Sequence, residues 1–169
     1  MDETFTLSHE KITATEDNKI FWESPDEWRV TDIILADSTN DGVIDLNIAS
    51  WRNANYGPSK PFWEGENDTT PRHHFFVMKM QENAIMPVWQ SSNLEAINAE
   101  IRIADVDGDQ KNELIVIEQN YEEKQDCTNT VLAVWRWNEW GFYNVWKGPR
   151  GNYCGLEIQN GNIIVHNDK

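Results

Sequence analysis

The chain is short of positive charge. Its 169 residues carry 14 Lys and Arg against 29 Asp and Glu, a formal net charge of −15 at pH 7. A surface this acidic repels phosphate backbones and anionic headgroups, which argues against nucleic acid or an anionic membrane as partner. Long apolar runs are also missing, and none approaches the roughly 18 residues that a spanning helix needs. Met1-Asp2-Glu3 and the polar residues after it do not have the basic-then-apolar pattern of a signal peptide. The protein is therefore expected to be intracellular, or exported after removal of a leader. Only two cysteines are present, Cys127 and Cys154. Either they pair, closing a loop worth roughly 3 kcal/mol in the chain-entropy model, or they remain two thiols. No nucleophile elbow, phosphate loop, HExxH or CxxC pair occurs, and no spacing among the acids singles out a glycosidase pair. No segment of ten or more residues repeats at a helical period with caps.

Nine tryptophans and short alternating runs are what the chain does have. Both suit strands with aromatic-filled faces. Alternation and β-branched enrichment predict strands over 4–12, 19–23, 31–36, 45–51, 74–81 and 85–90, then 100–104, 113–119, 131–138, 141–147, 155–159 and 162–166. A short element recurs among them: Phe21-Trp22-Glu23-Ser24-Pro25, Val88-Trp89-Gln90-Ser91-Ser92 and Val145-Trp146-Lys147-Gly148-Pro149. Each Trp precedes a polar turn and then an apolar run. The length suits one domain or slightly more, able to bury about two-thirds of its unfolded surface.

In Ala104-Asp105-Val106-Asp107-Gly108-Asp109-Gln110-Lys111-Asn112-Glu113-Leu114, four carboxylates crowd a short stretch between two apolar runs. Carboxylates this close repel one another unless a cation sits among them. Ala36-Asp37-Ser38-Thr39-Asn40-Asp41-Gly42-Val43-Ile44-Asp45-Leu46 aligns with it without gaps, 68 positions earlier (37 to 105). The stretch is an internal repeat. An EF-hand would need a carboxylate at the twelfth position, where Ile48 and Val116 stand instead. The pattern D-x-D-x-D-G-x-x-D/E between two strands resembles the calcium loop of FG-GAP/VCBS repeats, the integrin-α-type β-propeller blades. Gln110 departs from the usual Gly, and Thr39 from the usual Asp or Asn.

The resemblance implies Ca²⁺ ligands Asp105, Asp107, Asp109 and Glu113 with the Lys111 carbonyl, and Asp37, Thr39, Asp41 and Asp45 with the Val43 carbonyl. Oxygen-only ligands at this density favour Ca²⁺ over Mg²⁺. In the third unit Gly155-Leu156-Glu157-Ile158-Gln159-Asn160-Gly161-Asn162 occupies the loop position without the carboxylate set. The expected fold is all-β, a β-propeller-like array of about three four-stranded antiparallel blades. The repeat units fall near 20–87, 88–144 and an incomplete 145–169, in one domain. Such an array is part of a larger propeller, a partial arc, or half of a ring completed by a second copy.

The insertion between Trp51 and His73 carries Trp51, Tyr56, Phe62 and Trp63, which form a platform for a glycan or protein ligand or fold back over a blade. His73 and His74 open a strand and are expected on opposite faces. Trp135 and Trp137 share a face and are expected to pack between blades. The function expected is a calcium-stabilised, non-enzymatic binding or adhesion module, extracellular, periplasmic or on the cell surface. The alternatives are a glycosidase or lyase on the same scaffold and a purely structural assembly domain.

Overall fold

In the computed structural model, the described residues are 3–53, 62, 65, 69–81, 84–122 and 126–167. All regular structure among them is antiparallel strand. The strands are β1 (Thr4–Ser8), β2 (Lys11–Glu16), β3 (Lys19–Glu23), β4 (Arg29–Ala36), β5 (Asp45–Arg52), β6 (Arg72–Gln81) and β7 (Ala84–Gln90). They continue with β8 (Ile97–Ala104), β9 (Glu113–Gln119), β10 (Thr130–Trp137), β11 (Phe142–Gly151), β12 (Gly155–Gln159) and β13 (Asn162–His166). Four sheets result, ordered β1-β2-β3, β4-β5-β6-β7, β8-β9-β10-β11 and β12-β13. Two sheets are complete four-stranded units rather than about three, with a three-stranded and a two-stranded sheet on either side.

The sheets stack in chain order. Ile12, Val30, Ile48, Phe76 and Met78 fill the space between the first and second sheets. Ala49, Phe75, Val77, Ile101, Leu114 and Val116 fill the next, and Ile115, Ile117, Leu132 and Leu156 the last. Alternate residues of β6 and β9 thus enter different layers, which is why both strands are buried on both faces and read as continuous apolar runs. Full burial of a side chain such as Ile115 contributes roughly 1.5–3 kcal/mol.

The stack has polar outer faces. Thr4 pairs with Thr15, Thr6 with Thr13 and Ser8 with Lys11 on one side of the first hairpin, while Phe5 and Leu7 point into the first layer. At the other end Glu157, Gln159, Asn162 and His166 share the outer face with Ile164.

The recurring tryptophans mark one backbone feature. Ala14 pairs with Trp22, Val77 with Trp89 and Val134 with Trp146, and a register shift follows each pair. The bulge sharpens local twist and turns the outer strand away. Trp89 also fixes the next sheet's turn: a Cβ on Gly141, whose φ is +144°, would lie 2.8 Å from the Trp89 indole nitrogen.

One expected strand is two. Residues 4–12 form a hairpin, because His9 and Glu10 take φ of 49° and 62°, the left-handed pair a two-residue turn requires. Asp17-Asn18 and Asn160-Gly161 turn the same way, with φ of 49° and 61° and of 51° and 75°. Elsewhere the strand ends shift by a few residues. Trp135 packs in the layer between the two complete sheets, and Trp137 meets Trp89 edge-on at 6.2 Å.

Candidate metal centre

Both acidic stretches are the hairpin bends that join the first and second strands of a four-stranded sheet, β4 to β5 and β8 to β9. Their backbones match. Asn40 and Gly42 are left-handed at 58° and 84°, and Gly108 and Gln110, the aligned residues, at 81° and 68°. The two bends therefore interchange which position carries glycine. Gln110 holds the left-handed turn without that freedom, a conformation L-residues adopt at a cost of about 1–2 kcal/mol.

The first carboxylate of each bend gathers main-chain donors. Asp37 accepts from the amides of Asp41 at 3.1 Å and Gly42 at 2.8 Å. Asp105 accepts from Gly108 at 2.7 Å and Gln110 at 2.9 Å, and these amides hold its pKa below the usual carboxylate value. Val43 and Lys111, both expected to offer carbonyls, donate their amides to Asp41 at 3.0 Å and to Asp109 at 2.9 Å. Asp105, Asp107 and Asp109 come together: one oxygen from each lies within 4.8 Å of the others. A hard cation with oxygen ligands fits such a triad.

The last carboxylate of each bend is wholly buried, Asp45 and Glu113 both at 0% exposure. Asp45 Oδ2 accepts four hydrogen bonds, from the amides and hydroxyls of Ser38 and Thr39, at 2.9 to 3.2 Å. The Thr39 hydroxyl donates to Asp45, and where Asp107 supplies a carboxylate it offers a single hydroxyl oxygen. Glu113 Oε2 accepts from the Val106 amide at 3.1 Å.

Two residues that the sequence reading passed over complete the picture. The Lys79 ammonium pairs with Asp41 and stands 3.6 Å from Asp45 Oδ1. This ion pair holds the Asp41 pKa low. In the second bend Arg136 Nε donates to Glu113 Oε1 at 3.0 Å, and its Nη2 pairs with Asp107 and lies 3.6 Å from Asp109. Both cations come from the third strand at one register position: Met78 faces Leu46 and Trp135 faces Leu114, and the basic residue is next. The signal was there in Met78-Lys79-Met80-Gln81 and Trp135-Arg136-Trp137-Asn138, which share an apolar-basic-apolar-amide order.

The bends are clasped together. The Asn40 carboxamide accepts from the Asn112 amide at 2.6 Å and donates to its carbonyl at 3.1 Å. Asn112 Nδ2 donates to the Asp37 carbonyl at 2.8 Å.

Of the expected ligand platform, Trp51 lies at the end of β5 away from the bend. Trp51, half-buried at the end of β5, meets His73 and Tyr121 edge-on at 5.4 and 5.7 Å. Phe62 is 93% exposed, and Tyr56 and Trp63 lie outside the described residues. Beside Trp51 is a cavity of about 210 Å³ lined by Thr31, His73, Glu100, Gln119 and the Cys127–Cys154 pair. These cysteines form a disulfide with Cα atoms 4.9 Å apart, tying the β9–β10 connection to the entry of β12. His73 and His74 point to opposite sides, His73 to Thr31 at 3.2 Å and His74 to the Ser91 carbonyl at 3.1 Å. Burial first, and His74 second, push the His73 pKa down to about 3, so the ring is neutral.

Compared with family models, curated proteins and solved structures, the chain matches none.

Proposed function

We propose that the chain is a calcium-stabilised, non-enzymatic binding module whose stacked sheets are blades of the FG-GAP/VCBS, β-propeller-like kind. The convergence of Asp105, Asp107 and Asp109 oxygens within 4.8 Å carries the reading, and the matching bend at Asp37–Asp45 supports it. Ion binding to a bend that the unfolded chain does not preform adds to folding free energy. The ion's role here is to hold the ends of neighbouring strands in place. The disulfide is compatible with an oxidising, extracytoplasmic setting, where millimolar Ca²⁺ would load sites of the modest affinity common in extracellular modules. Its partner is a glycan or protein met at the end of the sheets that bears Trp51.

Melting the protein against CaCl2, MgCl2 and EDTA tests this. A clear rise with Ca²⁺, a much smaller one with Mg²⁺ and loss of the response in Asp109→Ala are the expected results. A melting temperature indifferent to all three additives overturns the reading.

A further inference from the structure

We infer that Lys79 and Arg136 are tethered counter-ions, which pair with the carboxylates of the two bends and, by competing there, set how tightly a divalent cation binds. The inference rests on the calcium reading for the identity of the competing ion.

The two residues reach their bends from the same register position of β6 and β10. Each touches the buried final carboxylate and one or two of the exposed ones. Chance surface pairing would not repeat this in both copies, with a lysine in one and an arginine in the other. The atoms involved belong to two acids expected to ligate the ion. Asp41 Oδ2 is taken by Lys79, and Asp107 Oδ2 by Arg136. An ion ligated by those oxygens has to displace the side chain or share the oxygen with it.

Asp45 shows that the lysine fills its bend incompletely. Its Oδ1 is buried and has no hydrogen-bond partner, and the nearest cation is the Lys79 ammonium at 3.6 Å. A compact ammonium on a flexible stem can withdraw from such a place. The guanidinium of Arg136 bridges Glu113 and Asp107 through two nitrogens, a fixed fork that a metal displaces with more difficulty. The first bend therefore exchanges its side-chain cation for a free one more readily than its shorter ligand set suggests. The second holds more acids but a firmer resident cation.

The test is calorimetric titration of the purified full chain with CaCl2, with melting curves in EDTA alongside. It compares the wild type with Lys79→Met, Arg136→Met, Lys79→Arg and the double variant Arg136→Met/Glu113→Gln. In EDTA both single Met variants should melt lower than wild type, and in CaCl2 each should bind Ca²⁺ at least tenfold more tightly. Lys79→Arg should melt as wild type in EDTA but bind Ca²⁺ more weakly, because a guanidinium fork is displaced with more difficulty. The double variant should regain most of the stability lost in Arg136→Met, because its buried acid no longer needs a partner charge. It also covers the case in which Arg136→Met alone does not fold. Ca²⁺ affinity unchanged or weakened in both Met variants overturns the inference, as does a double variant no more stable than its parent. If neither wild type nor any variant takes up Ca²⁺, the calcium reading fails by itself. The EDTA melting curves then decide the counter-ion assignment: lower melting in the Met variants upholds it, and unchanged melting overturns it.

Discussion

The bends at Asp37–Asp45 and Asp105–Glu113 share a backbone and differ in how their charge is balanced. In the first, which has three carboxylates and a threonine, Lys79 pairs with two of the acids, Asp41 and Asp45; in the second, which has four carboxylates, Arg136 pairs with three, Asp107, Asp109 and Glu113. In the first the buried acid spends one oxygen on four short-range donors and leaves the other without a hydrogen bond. In the second the buried acid divides its oxygens between a main-chain amide and a guanidinium. One acid is held by its own turn, the other by a distant strand. A repeat can thus preserve its shape while moving the interactions that hold it.

The largest expected effects come from the buried acids. Glu113→Ala should lower unfolding free energy in urea by about 2 kcal/mol, because it leaves the Val106 amide and the Arg136 Nε without their acceptor. Asp45→Ala should cost a similar amount through its four lost donors. The two separate on adding Arg136→Met, which should soften the Glu113 loss and leave the Asp45 loss unchanged. Close to these in size, Asn40→Ala removes two hydrogen bonds to Asn112 and places a Cβ-bearing residue without a local polar contact at φ 58°. It should cost about 2 kcal/mol, and Asn112→Ala, which keeps the main-chain pair, about half that.

Acid separates the bends from the histidine end of the molecule. His73 has a folded pKa of about 3 against an ordinary 6.5, so the unfolded chain takes up its proton first. Stability contributed by the neutral ring is present above pH 6.5 and is lost as pH falls from there towards 3, at up to about 1.4 kcal/mol per pH unit for one proton. His73→Gln should reduce the slope of the melting temperature between pH 6.5 and 5, and His74, whose pKa burial also lowers, accounts for a remaining slope. The smallest pair sharpens the glycine exchange. Gln110→Gly should raise stability by up to about 1 kcal/mol, and Gly42→Ala should lower it by about as much; equal and opposite shifts in the melting temperature would show that the bends are backbone equivalents.

Most strands were legible because alternation and β-branched residues announce them, and β9, β12 and β13 begin and end where the pattern puts them. The β1–β2 turn was not. His9 and Glu10 adopt left-handed dihedrals usually given to Asn, Asp or Gly, so residues 4–12 read as one run. The carboxylate triad was legible because its members are sequence neighbours. Lys79 and Arg136 were not, because they lie 38 and 29 residues from Asp41 and Asp107 and reach them only through strand register. Thr39 was expected to be a ligand from its position alone; its hydroxyl bond to Asp45 is a contact that spacing does not encode. The bridge between Cys127 and Cys154 was left open by spacing; it forms where hydrogen bonds from Tyr153 to Thr130 and from Asn129 to Asn152 bring the two segments side by side.

The hydroxyl-lined exterior of the first sheet and the amide- and acid-lined exterior of β12–β13 offer a further layer little hydrocarbon beyond Ile20 and Ile164. Adding one face to face would dehydrate threonines at one extremity and Glu157 at the other, with little apolar area removed from water in exchange. Fibre growth through the extremities is disfavoured for the same reason that terminal units of repeat arrays carry polar caps.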